Sequence, residues 1–120
     1  KKLKKKIKFY HEIKSQITDC KKILKSTRNL NDFGILLNEY WKIKKSLSFK
    51  VSSSYIDDIY NDAISCGALG GKILGSGGGG FIIFYIEKKN QYKLKKKLYK
   101  LQQVKFKFSD EGSSVIYCNE

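Results

Sequence analysis

The sequence has 120 residues, with 25 Lys+Arg against 11 Asp+Glu and a formal net charge of +14. That length suits one domain, and 41% hydrophobic with 13% aromatic residues excludes a disordered chain. The longest apolar run, Phe81 to Ile86, is too short to cross a bilayer, and the basic start leads into no apolar stretch of the kind a secretory signal needs.

Residues 1 to 26 place Leu3, Ile7, Tyr10, Ile13, Ile17, Cys20 and Leu24 on one helical face, with lysines on the other. After a polar break, Asn31 or Asp32 can cap a second helix whose stripe is Phe33, Leu36, Leu37, Tyr40, Trp41 and Leu47. Ser54 and Asp57 resemble a capping box ahead of a third helix, with Ile56, Ile59, Tyr60 and Ala63 on one side. Gly67 stands where a left-handed residue ends such a helix. Lys72 to Leu74 is a short strand. Phe81 to Ile86 is a second, apolar enough to be covered on both faces. Asn90 can cap a fourth helix through about Leu101, with Leu94, Leu98 and Leu101 as its stripe. Val104, Phe106 and Phe108 alternate with Lys105 and Lys107 as in a half-exposed strand. A turn at Asp110-Glu111-Gly112 leads to a last strand over residues 114 to 118. The order predicts a single α+β domain over residues 1–120, with three helices preceding a mainly antiparallel sheet.

The three cysteines, Cys20, Cys66 and Cys118, form no C-x-x-C pair. They read as small core hydrophobes in a reducing, cytoplasmic compartment rather than a disulfide framework or a metal site. His11, the one histidine, falls on the lysine-rich helix and reads as a solvated position. The chain contains no methionine and begins Lys1-Lys2-Leu3, which reads as a piece of something longer or a processed chain.

Eight of the ten glycines lie between Gly67 and Gly80. Glycine costs backbone entropy wherever it is fixed, so a plain hairpin turn would not need so many. Gly77 to Gly80 in succession suggest a backbone that curves sharply or is approached closely. Amide N–H groups on such a loop can converge on a phosphate. The bland alternative is a bend that lets a neighbouring domain pack tightly. No glycine precedes Lys-Ser or Lys-Thr, so this is not a P-loop. G-x-G-x-x-G is formally present at Gly75, Gly77 and Gly80, but a strand follows where the dinucleotide fold needs a helix. The protein-kinase glycine loop fails too, because its partner motifs are absent.

Lys72-Ile73-Leu74-Gly75-Ser76-Gly77-Gly78-Gly79-Gly80-Phe81 resembles the third conserved motif of the GHMP small-molecule kinases, usually K-x-x-G-A-G-G-G-G, with Ser76 in place of alanine. Leu36 to Trp41, Lys44 to Ser48, Ile56 to Tyr60, Gly67-Ala68 and Phe108 to Tyr117 are similar to the branch acting on heptose phosphate. The resemblance covers nearly the whole chain and only the family's C-terminal domain. It implies a ferredoxin-like fold, ATP as phosphoryl donor with Mg²⁺, and a sugar or sugar phosphate as acceptor. It implies phosphate or substrate binding by Lys72, Gly75, Ser76, Gly77, Gly78, Gly79 and Gly80. The main phosphate loop, the magnesium ligands and the catalytic groups belong to the family's N-terminal domain, and no stretch here matches them. The chain is thus expected to hold no catalytic residue and no metal ligand.

Other residues carry less. Lys72 has the reach for a phosphate and equally the look of a strand-edge lysine. Asp57 and Asp58 are helical neighbours, which diverge, so capping and solvation suit them better than acid–base work. Tyr40 and Trp41 read as core or domain-interface aromatics. Residues 1 to 25 hold ten lysines and 88 to 107 hold nine, stripes that in other settings bind nucleic acid or anionic membranes. Here both lie opposite apolar stripes, as solvated faces do, and no nucleic-acid-binding signature accompanies them. A basic nucleic-acid-binding module and a non-catalytic interaction domain are the rival readings.

Overall fold

A computed structural model describes residues 2–26, 29–47, 51–75, 80–107, 109 and 111. The elements are α1 (Lys2–Lys25), α2 (Asn31–Leu47), α3 (Ser54–Ser65), β1 (Ala68–Leu74), β2 (Phe81–Ile86) and α4 (Lys88–Lys97). The α+β class, with three helices ahead of an antiparallel pair, is as the sequence predicts. Among the described residues no helix is long and apolar enough to cross a membrane.

The centre of the fold is β1, with α2 laid along it. Gly34 and Gly70 make that approach possible, while Gly71 makes room for β2. A Cβ on Gly70 would overlap the Gly34 carbonyl oxygen and lie 2.6 Å from the Asn38 amide nitrogen, and one on Gly34 would lie 2.6 Å from the Tyr85 ring. A Cβ on Gly71 would press on Phe84 at 2.5 Å. Real side chains at Gly34 and Gly70 would push helix and sheet apart, and one at Gly71 would displace Phe84, at about 1–3 kcal/mol or more each. The register runs from Leu74↔Phe81 to Gly70↔Tyr85, then jumps to Ala68↔Ile86. The bulge leaves Leu69 over Gly34.

The core is small and aromatic. Trp41, Tyr60 and Ile73 form it, and Val51, Ile56, Ile82 and Phe84 pack against it. The Trp41 and Tyr60 rings stack at 5.4 Å, and Phe84 tilts against Tyr60 at 5.6 Å. Each such pair adds about 0.5–1.5 kcal/mol beyond the area it buries.

Several expectations need correction. Neither Asn31 nor Asp32 caps α2. Asn31 already lies inside it, and its side chain instead donates to Glu87 Oε1 at 2.9 Å and accepts from the Tyr85 hydroxyl at 3.4 Å. The cap of α3 is Ser53, whose Oγ accepts from the Ile56 amide at 3.3 Å; Ser54 is the first helical residue. Gly67 does close that helix at φ 99°. β1 begins four residues earlier than expected, and within that added length Gly70 lets α2 lie close against the strand. β2 is half-buried rather than covered on both faces, and Phe81 at its start is 60% exposed. α4 starts at Lys88 with Glu87 as its cap residue and ends at Lys97, so Asn90 is interior and Leu101 lies beyond it.

The strand expected at Val104 to Phe108 is not formed over residues 104–107, which pair with neither β1 nor β2. Val104 and Phe106 are exposed, and the strand expected to pair with them lies outside the described residues. Phe108, Asp110 and residues 112–120, with the last expected strand and Cys118, lie outside the described residues. Cys66 is buried and Cys20 half-buried, both free, as small core residues should be. His11 is exposed.

Candidate functional site

The end of the β1–β2 hairpin is where the sequence-predicted residues gather. The last cross-strand pair is Leu74↔Phe81, so residues 75–80 join the strands. Gly75 and Gly80 begin and end that connection at φ 115° and 122°. Side chains other than glycine's are strained at such angles. A Cβ on Gly80 would also lie 2.6 Å from the Leu74 carbonyl oxygen. Ser76, Gly77, Gly78 and Gly79 lie outside the described residues.

Lys72 sits two residues before Leu74, opposite Ile83 in the register, and is exposed. Its ammonium stands 5.9 Å from the centre of the Tyr40 ring, on α2. That contact steadies the side chain without neutralising it. Among the described residues Lys72 makes no ion pair. Leu74 and Phe81, both exposed, put an apolar rim beside it. The hairpin end therefore offers a cation, bare main chain and an apolar edge. It stands at the surface: Lys72, Leu74, Gly75, Gly80 and Phe81 are all exposed. A closed phosphate site here needs a second wall.

A hydrogen-bonded anchor holds the hairpin from behind. The Tyr60 hydroxyl donates to Asn38 Oδ1 at 3.1 Å and accepts from the Gly71 amide at 3.1 Å. Burial pushes the Tyr60 hydroxyl pKa above its ordinary value, against a smaller opposing pull from the Gly71 N–H. Tyr60, on α3, thus stays a neutral donor at physiological pH, and the amide it accepts from belongs to Gly71, one residue upstream of Lys72 on β1. Sequence reading put Tyr60 on an apolar stripe and missed this role, along with Asn38 and Gly34. The one signal available was an isolated glycine inside a helical pattern, which marks close approach.

The other candidates fall away from this end. Asp57 accepts from Lys45 Nζ and from Ser52 Oγ, each at 2.8 Å. The Lys45 bond, chiefly, holds its carboxyl below the ordinary value despite desolvation. Asp58 is exposed, so the two carboxylates do diverge. Trp41 is 2% exposed and belongs to the core. Among the described residues no three His, Cys, Asp or Glu side chains come together as metal ligands would.

Residues 19–103 match the family model described as GHMP kinases C terminal. The chain belongs to that family. It is also 41% identical over 86 residues to the D-glycero-alpha-D-manno-heptose 7-phosphate kinase of Campylobacter jejuni subsp. jejuni serotype O:2. The alignment covers 68% of this chain and 25% of that relative, so the chain spans about a quarter of the length of the kinase it matches. The matched segment contains the whole hairpin with Lys72, Gly75 and Gly80. The close α2–β1 packing and the glycine connection are thus features of a GHMP C-terminal domain.

Proposed function

We propose that this chain is the C-terminal domain of an ATP-dependent sugar-phosphate kinase, and that its hairpin end forms one wall of the phosphoryl-transfer site against an N-terminal kinase domain. The acceptor proposed is heptose 7-phosphate, after the relative's name. The observation that carries the reading is the hairpin end itself. A lysine that makes no ion pair among the described residues and two glycines at positive φ stand together at the surface, in a chain of this family.

The residues present suit phosphate. Lys72 brings a positive charge, and residues 75–80 bring main-chain N–H groups with at most the Ser76 hydroxyl between them. Bound Mg-ATP supplies a phosphoryl group already partly neutralised by the metal. The part assigned to this chain is to orient and to stabilise charge; the ligands of magnesium and the groups that activate the sugar hydroxyl are assigned to the companion domain. A cytoplasmic location goes with this reading, supported by the free thiols of Cys20 and Cys66.

The test is a chimera in which this chain replaces the matching quarter of the Campylobacter relative, assayed for ATP-dependent phosphorylation of heptose 7-phosphate. Turnover is expected in the chimera and none from the 120-residue chain alone. Gly78→Val should lower kcat by about 100-fold, the scale of a reacting group displaced by an ångström. Lys72→Ala should raise KM or lower kcat with the fold intact. Kinetics unchanged in both variants would show that the hairpin only packs.

A further inference from the structure

Helix α1 presents more apolar surface than α2 covers. Ile13, Gln16, Cys20 and Ile23 are half-buried, on the edge of α1 that meets α2. Ile7, Tyr10, Ile17 and Leu24 are not: they remain 48%, 64%, 54% and 56% exposed. This corrects the expectation of a single buried stripe with lysines opposite.

The exposed residues are ordered. Tyr10, Ile17 and Leu24 follow each other at intervals of seven, and Ile7, Lys14 and Lys21 make a second row at the same interval. Rows offset by three and four residues are the two seam positions of a heptad repeat. One row is apolar throughout. The other starts with Ile7 and continues with two exposed lysines. Ile7, Tyr10, Lys14 and Ile17 lie ahead of the segment that matches the family, and Lys21 and Leu24 fall within its first turns.

We infer that the outward seam of α1 docks an acidic amphipathic helix, with apolar side chains against Tyr10, Ile17 and Leu24 and carboxylates against Lys14 and Lys21. Charge chooses this occupant. A second copy of the chain would set lysines into its own lysine-bearing seam, with +14 on each partner. An anionic bilayer favours a broad, unbroken apolar face with its cations at the border. Here α2 takes one edge of the apolar arc, and Lys14 and Lys21 stand within the seam itself. Carboxylates aligned with those two ammoniums satisfy both rows at once and fix the register.

The probe is a labelled three-heptad peptide with Leu on one seam row and Glu on the row that meets Lys14 and Lys21, titrated with the 120-residue chain. Saturable binding with a gain of helical circular dichroism is expected. Lys14→Glu/Lys21→Glu should weaken it at least about tenfold and restore binding to a matched peptide with Lys on that row. Ile17→Ser should also weaken it, while Trp41 emission, reporting the separate core, stays unchanged. Three results would overturn the inference: no saturable binding of the acidic peptide, binding indifferent to the charge swap, or concentration-dependent self-association of the chain. Binding to phosphatidylserine vesicles that the peptide does not compete away would overturn it as well.

Discussion

Tyr60 joins three elements through a single oxygen, and its neighbours decide what losing that oxygen costs. It stands on α3, donates to Asn38 on α2 and accepts from Gly71 on β1, with Trp41 and Phe84 against its ring. Tyr60→Phe keeps the ring stacking and strips both bonds, leaving the buried Gly71 amide and the Asn38 side chain without this partner. An unsatisfied buried donor costs about 1–3 kcal/mol, well above the usual worth of one hydrogen bond. The urea midpoint, followed by Trp41 fluorescence, should fall accordingly. A shift within error would mean that water replaces the hydroxyl and that the anchor is dispensable. Periodicity showed Tyr60 facing inward; it had no means of showing which amide the hydroxyl would meet.

Between elements, Lys45 and Asp57 clamp α2 to α3. The carboxyl is held below its ordinary value of 3.8, chiefly by the Lys45 hydrogen bond. A folded-state pKa below the unfolded one adds stability above the unfolded value and loses it as pH falls through the folded one. Stability should therefore decline below about pH 4, and Asp57→Asn should flatten that part of the profile. An unaltered acid limb in the variant would show that solvent screens the pair, which is about a third exposed on each side. At this scale the sequence was legible in part. All four helices and β2 occur in the stretches that periodicity marked, because amphipathic spacing is local, although the caps expected for α2, α3 and α4 were each displaced. Boundaries moved where a distant residue intervened: Asn31 is drawn to Glu87 and Tyr85, and β1 lengthens where Gly70 fits beneath α2.

For the whole molecule the issue is charge. Twenty-five cationic side chains face eleven anionic ones. Among the described residues only four ion pairs form, all with substantial exposure. Repulsion among the remaining lysines outweighs these pairs, each worth about 1 kcal/mol or less. Sodium chloride at about 0.1 M brings the screening length to about 10 Å, so it should raise the melting temperature. A fall would mean that the pairs dominate the ledger of charges instead. The same surplus falls on a domain whose rows on α1 and whose Lys72, Leu74 and Phe81 at the hairpin end are exposed.

The α+β class, the helix positions, the glycine-rich connection with its family motif and the lysine beside it were all settled by residue order. They depend on short-range periodicity, turn chemistry and a contiguous motif. Which apolar face would be covered, which hydroxyl would hold β1 and where a helix would ride over glycine were decided only by the assembled fold. Those outcomes depend on contacts between residues far apart in the chain, and a pattern of neighbours does not encode the distance between two elements. Tyr10 and Ile13 look alike in the α1 stripe; only the position of α2 leaves one exposed and the other half-buried.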